Sequence, residues 1–466
     1  MGVFKNLYAT LTRRVTVNNS IADGYTYNQI NRSDVLLANH NPYFRLHMRL
    51  LSAQQDRENS YYTGILNTIS EYTVGSFPMM LGNAPINSVN DEIEDAWGTW
   101  CLLNGVGQSI RQARRGAARC GLGILIPINK QNTIHPIKLG FKTITALDLK
   151  TPLDARIEDR IYDGIEYDNN WDIVKIHTSD GKEYQNMTEC ILWFKETEEG
   201  QPTPSPECSA GLCILPSVKR IMDSIIKGKE FRSSMPLAIE LDPLVYGQEY
   251  ASKNGVPQGT YKYDPGTVPT LPPGTKLAGI PIGTTSQEDG KFLEMMAGAA
   301  ARCINMPVNL VIGNSSDFNM ASGQIDLQPW KTKVNIDRND FATVPYQVLN
   351  FYLKIAKDTA GYYSYQTRRI LDAGKFQSRW TYDNVFNHPD PQKNANARAV
   401  DLSSGCSTLF AIYSEQGKNP RRELEREAQL IGITVQELCY LILAKRTPDT
   451  LTIVKELQDT MNDNTE

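Results

Sequence analysis

The chain has 466 residues, 41% hydrophobic and 21% charged, a balance that excludes a disordered or fibrous chain and gives a length prior of about three domains. Its net charge of −4 excludes tight electrostatic gripping of duplex DNA, which needs many Lys or Arg contacts to phosphates. No apolar run reaches the approximately 18 residues of a membrane span, and the opening MGVFKNLYATLTRR lacks the apolar centre of a signal peptide, so a cytosolic chain without membrane contact is expected.

Residues 1–50 are polar, Asn-rich and weakly periodic up to Tyr43, and read as an N-terminal arm. Over residues 61–74, Tyr62, Ile65, Leu66, Ile69 and Tyr72 recur at helical spacing, and Gly75 stands where the helix would stop. A second helix is predicted over 89–103 with Trp97 and Trp100 on one side. A third, over 108–120, carries Arg111, Arg114, Arg115 and Arg119 on one broad face. That stripe reads either as phosphate-binding or as a face that is solvated or paired with acids of a neighbouring subunit. From Gly123 to Phe194 the pattern changes to strands, at 124–128, 173–177 and 190–194, separated by Asp163-Gly164 and Asp180-Gly181-Lys182 turns. A mostly antiparallel sheet packed on the earlier helices makes this an α+β domain. Residues 196–209, rich in Glu, Pro and Gln, read as an exposed loop.

Ser217 is placed to cap a helix in which Val218, Ile221, Met222, Ile225 and Ile226 face either a core or a neighbouring subunit. Pro236 and Pro243 must kink or interrupt it. Residues 254–287 are crowded with Gly and Pro and support only short extended pieces. A helix over 290–305 carries Phe292, Met295, Met296, Ala299, Ala300 and Cys303 on one side, flanked by Gly298 and Ala301, small residues that let helices approach closely. The stretch INMPVNLVIGNSSDFNMASGQ, residues 304–324, is an apolar helix end, a Pro and a loop too rich in Asn and Ser for a core. A long helix is expected from Met320 to about Lys357, kinked at Pro329 and Pro345. A strand follows over 368–380. Helices are then predicted over 395–406, 407–415, 421–430 and 434–444, with a frayed end at 459–466.

Several short motifs, taken in order, resemble one family. They are Asn59-Ser60-Tyr61-Tyr62-Thr63-Gly64 running through Glu71 to Val74-Gly75, and the pair Trp97 and Trp100. The small-residue helix then leads through Met306-Pro307 to a loop ending Asn319-Met320-Ala321-Ser322. Asp390-Pro391 follows with Lys393, Ala395 and Ala397, then Gly405, Ser407, Thr408, Glu415 and Gly417. Together, over roughly residues 55–430, they are similar to the portal proteins of lambda-like tailed bacteriophages. That family's loop ends in Asn-aromatic-Ser-Ser, so the aromatic and the first Ser are replaced here.

The resemblance implies a portal-type α+β fold. Its parts would be an arm (1–50), a wing (51–216), a first stem-helix region (217–251), a β-rich clip (252–289), a second stem helix (290–305) and a tunnel loop (306–319). A long kinked helix (320–357), a wing return (358–397) and a helical crown (398–466) would follow. It implies a homo-oligomeric ring of about twelve subunits at one capsid vertex of the virion, assembled in host cytoplasm, that passes double-stranded DNA without sequence specificity during packaging and ejection. Partners would be the terminase large subunit, the major capsid and scaffold proteins, and head-completion or adaptor proteins. Asn309, Asn314, Ser315, Ser316 and Asn319 would line the DNA channel, with Lys331, Lys333 and Arg338 as weak DNA contacts or a solvated helix face. Tyr261, Lys262, Tyr263 and Lys276 would form the clip's docking surface, a region that reads equally as a loop-rich β-insertion.

Catalysis is not expected. The chain has no G-x-x-x-x-G-K-[ST] phosphate cradle, and His40, His47, His135, His177 and His388 fit no H-E-x-x-H spacing and no G-x-S-x-G neighbourhood. Asp91, Glu92, Glu94 and Asp95 read as a solvated helix start that favours the helix dipole. The eight cysteines form no C-x2-C pair and read as reduced buried thiols; Cys208, Cys213 and His177 lack a further ligand pair, so neither metal nor cofactor is expected. The alternative function is a non-viral α+β scaffold or adaptor that binds peptides, which would be a monomer or small oligomer.

Overall fold

The computed structural model describes residues 42–156, 159–196, 203–233, 237–241, 275–279, 287–315, 319–383, 386 and 390–444. Residues 1–41, the clip positions Tyr261, Lys262 and Tyr263, the loop position Ser316 and the segment 459–466 lie outside the described residues. The chain divides into two compact units, one of Met1–Cys213 with Gly298–Glu466, the other Ile214–Ala297.

The first unit begins with helices α1 (Pro42–Glu58) and α2 (Ser60–Val74). Asn59 caps α2 by accepting from the Tyr61 N–H at 3.1 Å, and Gly75 ends it in a conformation with φ 70°. Tyr62, Ile65, Leu66 and Ile69 are buried as their spacing requires. α1 moves the expected arm boundary: residues 42–50 are part of the folded body, because Arg45 and Arg49 are buried against a distant carboxylate that a local pattern cannot reveal. After β1 (Met79–Gly82), helices α3 (Asn87–Asn104) and α4 (Val106–Cys120) meet at the left-handed Gly105. Trp97 and Trp100 on α3 are buried, and Trp100 packs 4.5 Å from the ring of Tyr352 while its Nε1 donates to the Leu139 carbonyl at 3.2 Å.

β2 (Leu122–Asn129) and β3 (Leu139–Thr145) pair antiparallel, with Ile124 opposite Ile144. β3 is missing from the sequence expectation because Gly140, Lys142 and two threonines dilute its alternation. A small antiparallel sheet follows, in the order β4 (Ile161–Tyr162), β5 (Ile165–Tyr167), β6 (Ile173–His177) and β7 (Glu183–Gln185), with the two expected turns at its corners. β8 (Ile191–Phe194) returns to the other edge of β2. α4 lies so close to β2 that a Cβ on Gly123 would fall on the Ala113 carbonyl. Gly123→Ala should therefore destabilise the protein by about 3 kcal/mol, read as a lower urea midpoint; an unchanged midpoint would mean that α4 can move off the sheet at no cost.

The second unit contains α5 (Leu215–Ser233), which starts two residues before the expected Ser217 cap, and an antiparallel pair, β9 (Leu237–Leu241) with β10 (Thr275–Gly279), in which Lys276 faces Glu240. α6 (Gln287–Ala301) follows, its last turn belonging to the first unit. Of the apolar positions after Ser217, Val218 is buried and Ile226 is 50% exposed, while Phe292 and Met295 on α6 are 47% and 62% exposed.

Back in the first unit come a 3-10 turn (Arg302–Ile304), α7 (Val308–Ile312), α8 (Met320–Phe341) and α9 (Thr343–Asp358). The expected long helix is broken at Ala342 rather than kinked at Pro345. Pro345 occupies the first turn of α9, where its missing N–H costs nothing, and Pro329 sits inside α8 without ending it. The stretch expected as a strand begins instead inside a helix, α10 (Tyr365–Asp372), because the Ser364 side chain accepts from the Thr367 N–H and caps it. Only β11 (Ser378–Thr381) is extended, pairing antiparallel with β1. α11 (Pro391–Ser403), α12 (Leu409–Glu415), α13 (Pro420–Ile431) and α14 (Val435–Ala444) complete the described chain, the first three capped by the side chains of Asp390, Thr408 and Asn419.

Candidate functional site

The polar loop has an anchored half and an exposed half. Met306 is buried, Pro307 starts α7, and Val311 on that turn is buried, with α7 packed on α2. Val308 lies against Gly298, where a Cβ would collide with it. Gly313, at φ 71°, ends the turn by donating to the Asn309 carbonyl at 2.9 Å. Asn309, expected in the open loop, belongs instead to the anchored turn, its Oδ1 accepting from the Leu310 N–H, and Val311 is buried within its own chain. The apolar spacing of Val308, Val311 and Ile312 is that of a helical turn, which explains the difference. Asn314, Ser315 and Asn319 are exposed between Gly313 and α8.

α8, which carries the loop, is fixed by a buried charge cluster. Asp337 accepts from Lys195 at 2.6 Å and from Arg114 at 3.1 Å and pairs with Lys333 one turn earlier. Arg114 also holds Glu207 at 2.5 Å, Lys333 lies 3.8 Å from Glu207, and the Arg114 guanidinium stacks 5.1 Å from the Trp193 ring. Burial pushes the Asp337 carboxyl up, but Lys333, Arg114 and Lys195 outweigh it and hold it down to about 2. Glu207 is likewise held below the usual range against its burial, chiefly by Arg114. Glu207, expected in an exposed loop, is thus an interior anion.

These contacts reassign most of the expected cationic sites. Lys333 is held by Asp337 and Glu207. Arg338 is buried, donates to the carbonyls of Tyr72 and Asp383 at 3.1 and 3.0 Å, and stacks on Tyr382. Neither head is available as a weak DNA contact or a solvated face. Lys331 is half-buried, with its ammonium 5.5 Å from the Phe386 ring. The basic stripe of α4 also finds partners inside the chain: Arg115 pairs with Asp56 at 2.6 Å, Arg119 reaches Asp56 at 3.4 Å, and Arg111 donates to the Gly75 carbonyl at 3.2 Å. Both readings of that stripe are set aside, since Asp56, Glu207 and Asp337 are too far along the chain for spacing to reveal them.

Glu92 and Glu94 of α3 are clamps rather than part of a solvated helix start, while Asp95 stays exposed. Glu92 accepts from the Ser364 N–H at 2.7 Å and from its hydroxyl at 2.8 Å. Buried Glu94 accepts from the Gly82 N–H at 2.7 Å and from Asn419, and Asp95 pairs with Arg422. They tie α10 and α13 to the body. His177 lies between Glu166 at 3.1 Å and Glu183 at 3.4 Å, and no metal-holding group of three or more His, Cys, Asp or Glu exists among the described residues. Four cysteines are buried as expected, but Cys213, Cys303 and Cys406 are exposed. Among the described residues no helix is long and apolar enough to cross a membrane.

The family described as "Phage portal protein, lambda family" matches residues 39–332, well over half of the chain. No curated protein matches. Among solved structures, the chain is similar to one in the virion of a native gene transfer agent particle, at 13% identity and TM-score 0.37, covering 70% of this chain and 92% of that one. It is similar to a chain in the neck of a native gene transfer agent particle computed with C12 symmetry, at 12% identity and TM-score 0.34, covering 69% and 92%. An HK97 family phage portal protein from Corynebacterium diphtheriae matches at 11% identity and TM-score 0.28, covering 59% and 83%.

Proposed function

The chain belongs to the lambda family of phage portal proteins, and we propose that it forms a closed ring of about twelve copies at one capsid vertex, through which double-stranded DNA is packaged and ejected. The single observation that carries this reading is the family match, which runs unbroken through both helices of the second unit, α7 and the exposed loop. The exposed apolar residues Ile226, Phe292 and Met295 support it, because a ring gives such side chains a neighbouring copy to pack on. Asn314, Ser315 and Asn319 face the channel as short neutral groups that touch phosphates without charge-to-charge binding. Lys331 adds the one cation retained from the original three. Assembly takes place in host cytoplasm, with the major capsid and scaffold proteins as partners, and the product is part of the virion. Native mass spectrometry at micromolar concentration tests the reading: a closed ring is expected, and monomers alone across several salt conditions would contradict it.

The β9–β10 region with its 242–274 connection is the docking surface for the terminase large subunit and later for head-completion or adaptor proteins. Its position between the two helices of the second unit supports this assignment. Replacing Tyr261, Lys262, Tyr263 and Lys276 together by Ala should weaken terminase binding by at least about tenfold, the loss of a single aromatic hot spot, with ring mass unchanged. Equal binding by the variant ring would remove these four residues from the interface.

A further inference from the structure

The chain leaves the first unit after Cys213 and re-enters it at Gly298. The two 3-10 turns that flank this excursion, Ser209–Gly211 and Arg302–Ile304, pack on each other. The approach is close enough that a Cβ on Gly211 would fall on the Ala300 carbonyl. Each turn carries a cysteine. Cys208 opens the first and is buried; Cys303 stands in the second, is exposed, and lines a cleft of about 500 Å³ with Lys195, Glu207 and Lys333. The packed turns bring the two cysteines together: the Gly211 N–H of the first donates to the Cys208 carbonyl at 2.8 Å, and the Cys303 thiol of the second donates to the Ala300 carbonyl at 3.3 Å. The neighbouring Cys208 thiol brings the Cys303 thiol down to about 7 against its burial, while Cys303 and burial push Cys208 well up. The pair therefore has one accessible nucleophile and one shielded thiol beside it.

We propose that Cys303 is a thiol–disulfide exchange site for low-molecular-weight disulfides of the glutathione type, with Cys208 as its resolving partner, so that oxidation ties together the two chain crossings at the root of the second unit. The Cys303 thiolate attacks one sulfur of the incoming disulfide, whose S–S bond breaks, and one thiolate leaves and takes up a proton. Cys208 then attacks the Cys303 sulfur, its proton passing to the small thiolate that leaves. The Cys208–Cys303 bond forms and the second small thiol is released. Two cysteine thiols are oxidised and one small disulfide is reduced to two thiols. In a reducing cytosol the dithiol persists, and in an oxidising medium the link closes. Both turns lie within one chain, whether or not it forms a ring.

The test uses the full-length protein in the assembly in which it purifies. It is incubated with oxidised glutathione at neutral pH, quenched by alkylation, and mapped by mass spectrometry without reduction. The expected wild-type product is a Cys208–Cys303 linked peptide that reverts with dithiothreitol, formed about tenfold faster than adducts on the exposed Cys213 and Cys406. Cys208→Ala should stop at a glutathione adduct on Cys303, and Cys303→Ser should leave Cys208 unreacted. Cys303 reacting no faster than Cys213 and Cys406, or a wild-type adduct on Cys303 that persists without the linked peptide, would overturn the proposal. If Cys208→Ala fails to fold, the wild-type map and Cys303→Ser decide between these results.

Discussion

Asp337→Asn is expected to destabilise the protein by at least about 3 kcal/mol, the range for removing one partner of a buried ion pair. Asp337 is 1% exposed and is shared by Arg114, Lys195 and Lys333; the amide keeps the shape but leaves the fully buried Arg114 with Glu207 as its only remaining carboxylate partner of the two. The same residue sets an acid dependence. Its folded value of about 2 lies below the ordinary 3.8, so its contribution is fully present above the ordinary value and is lost as pH falls from about 4 through about 2. That contribution is about 2 kcal/mol. Denaturation midpoints of wild type and variant should differ most at neutral pH and converge in acid. A variant with the wild-type midpoint at neutral pH would show that α8 is not held by this cluster.

Deleting residues 314–318 is expected to leave ring assembly intact and to reduce DNA packaging into procapsids to the level of a portal-free control. The deletion spares the anchoring parts: α7 stays packed on α2, Gly313 still ends the turn, and the charge cluster lies further along α8. What it removes includes the exposed Asn314 and Ser315, short polar side chains that follow the anchored turn. Packaging at wild-type levels by the shortened ring would reduce this loop to a connector.

The sequence discloses elements whose determinants are local. α2 is legible from the spacing of Tyr62, Ile65, Leu66 and Ile69 and from Gly75 at its end, and α13 is expected to within one residue at each end, whereas α11 starts four residues earlier than expected at the Asp390 cap. What depends on distant partners is not legible. Arg45, Arg49 and Arg114 look like solvent-facing arginines until Asp163, Glu207 and Asp337 arrive from elsewhere in the chain. The same is true of Lys333 and Arg338, whose polar character suggests an outer face while their partners draw them in. In the candidate site, the helical turn that ends at Gly313 is not legible, because Asn309 and the proline that starts it give the stretch the look of an open loop.

In the proposed ring the exposed loop narrows the lumen. An electron cryo-microscopy map of the purified full-length protein should show a closed ring with the loop around Asn314, Ser315 and Asn319 at the narrowest point of the channel; a ring with this loop on its outer wall, or particles containing only single copies, would rule that arrangement out.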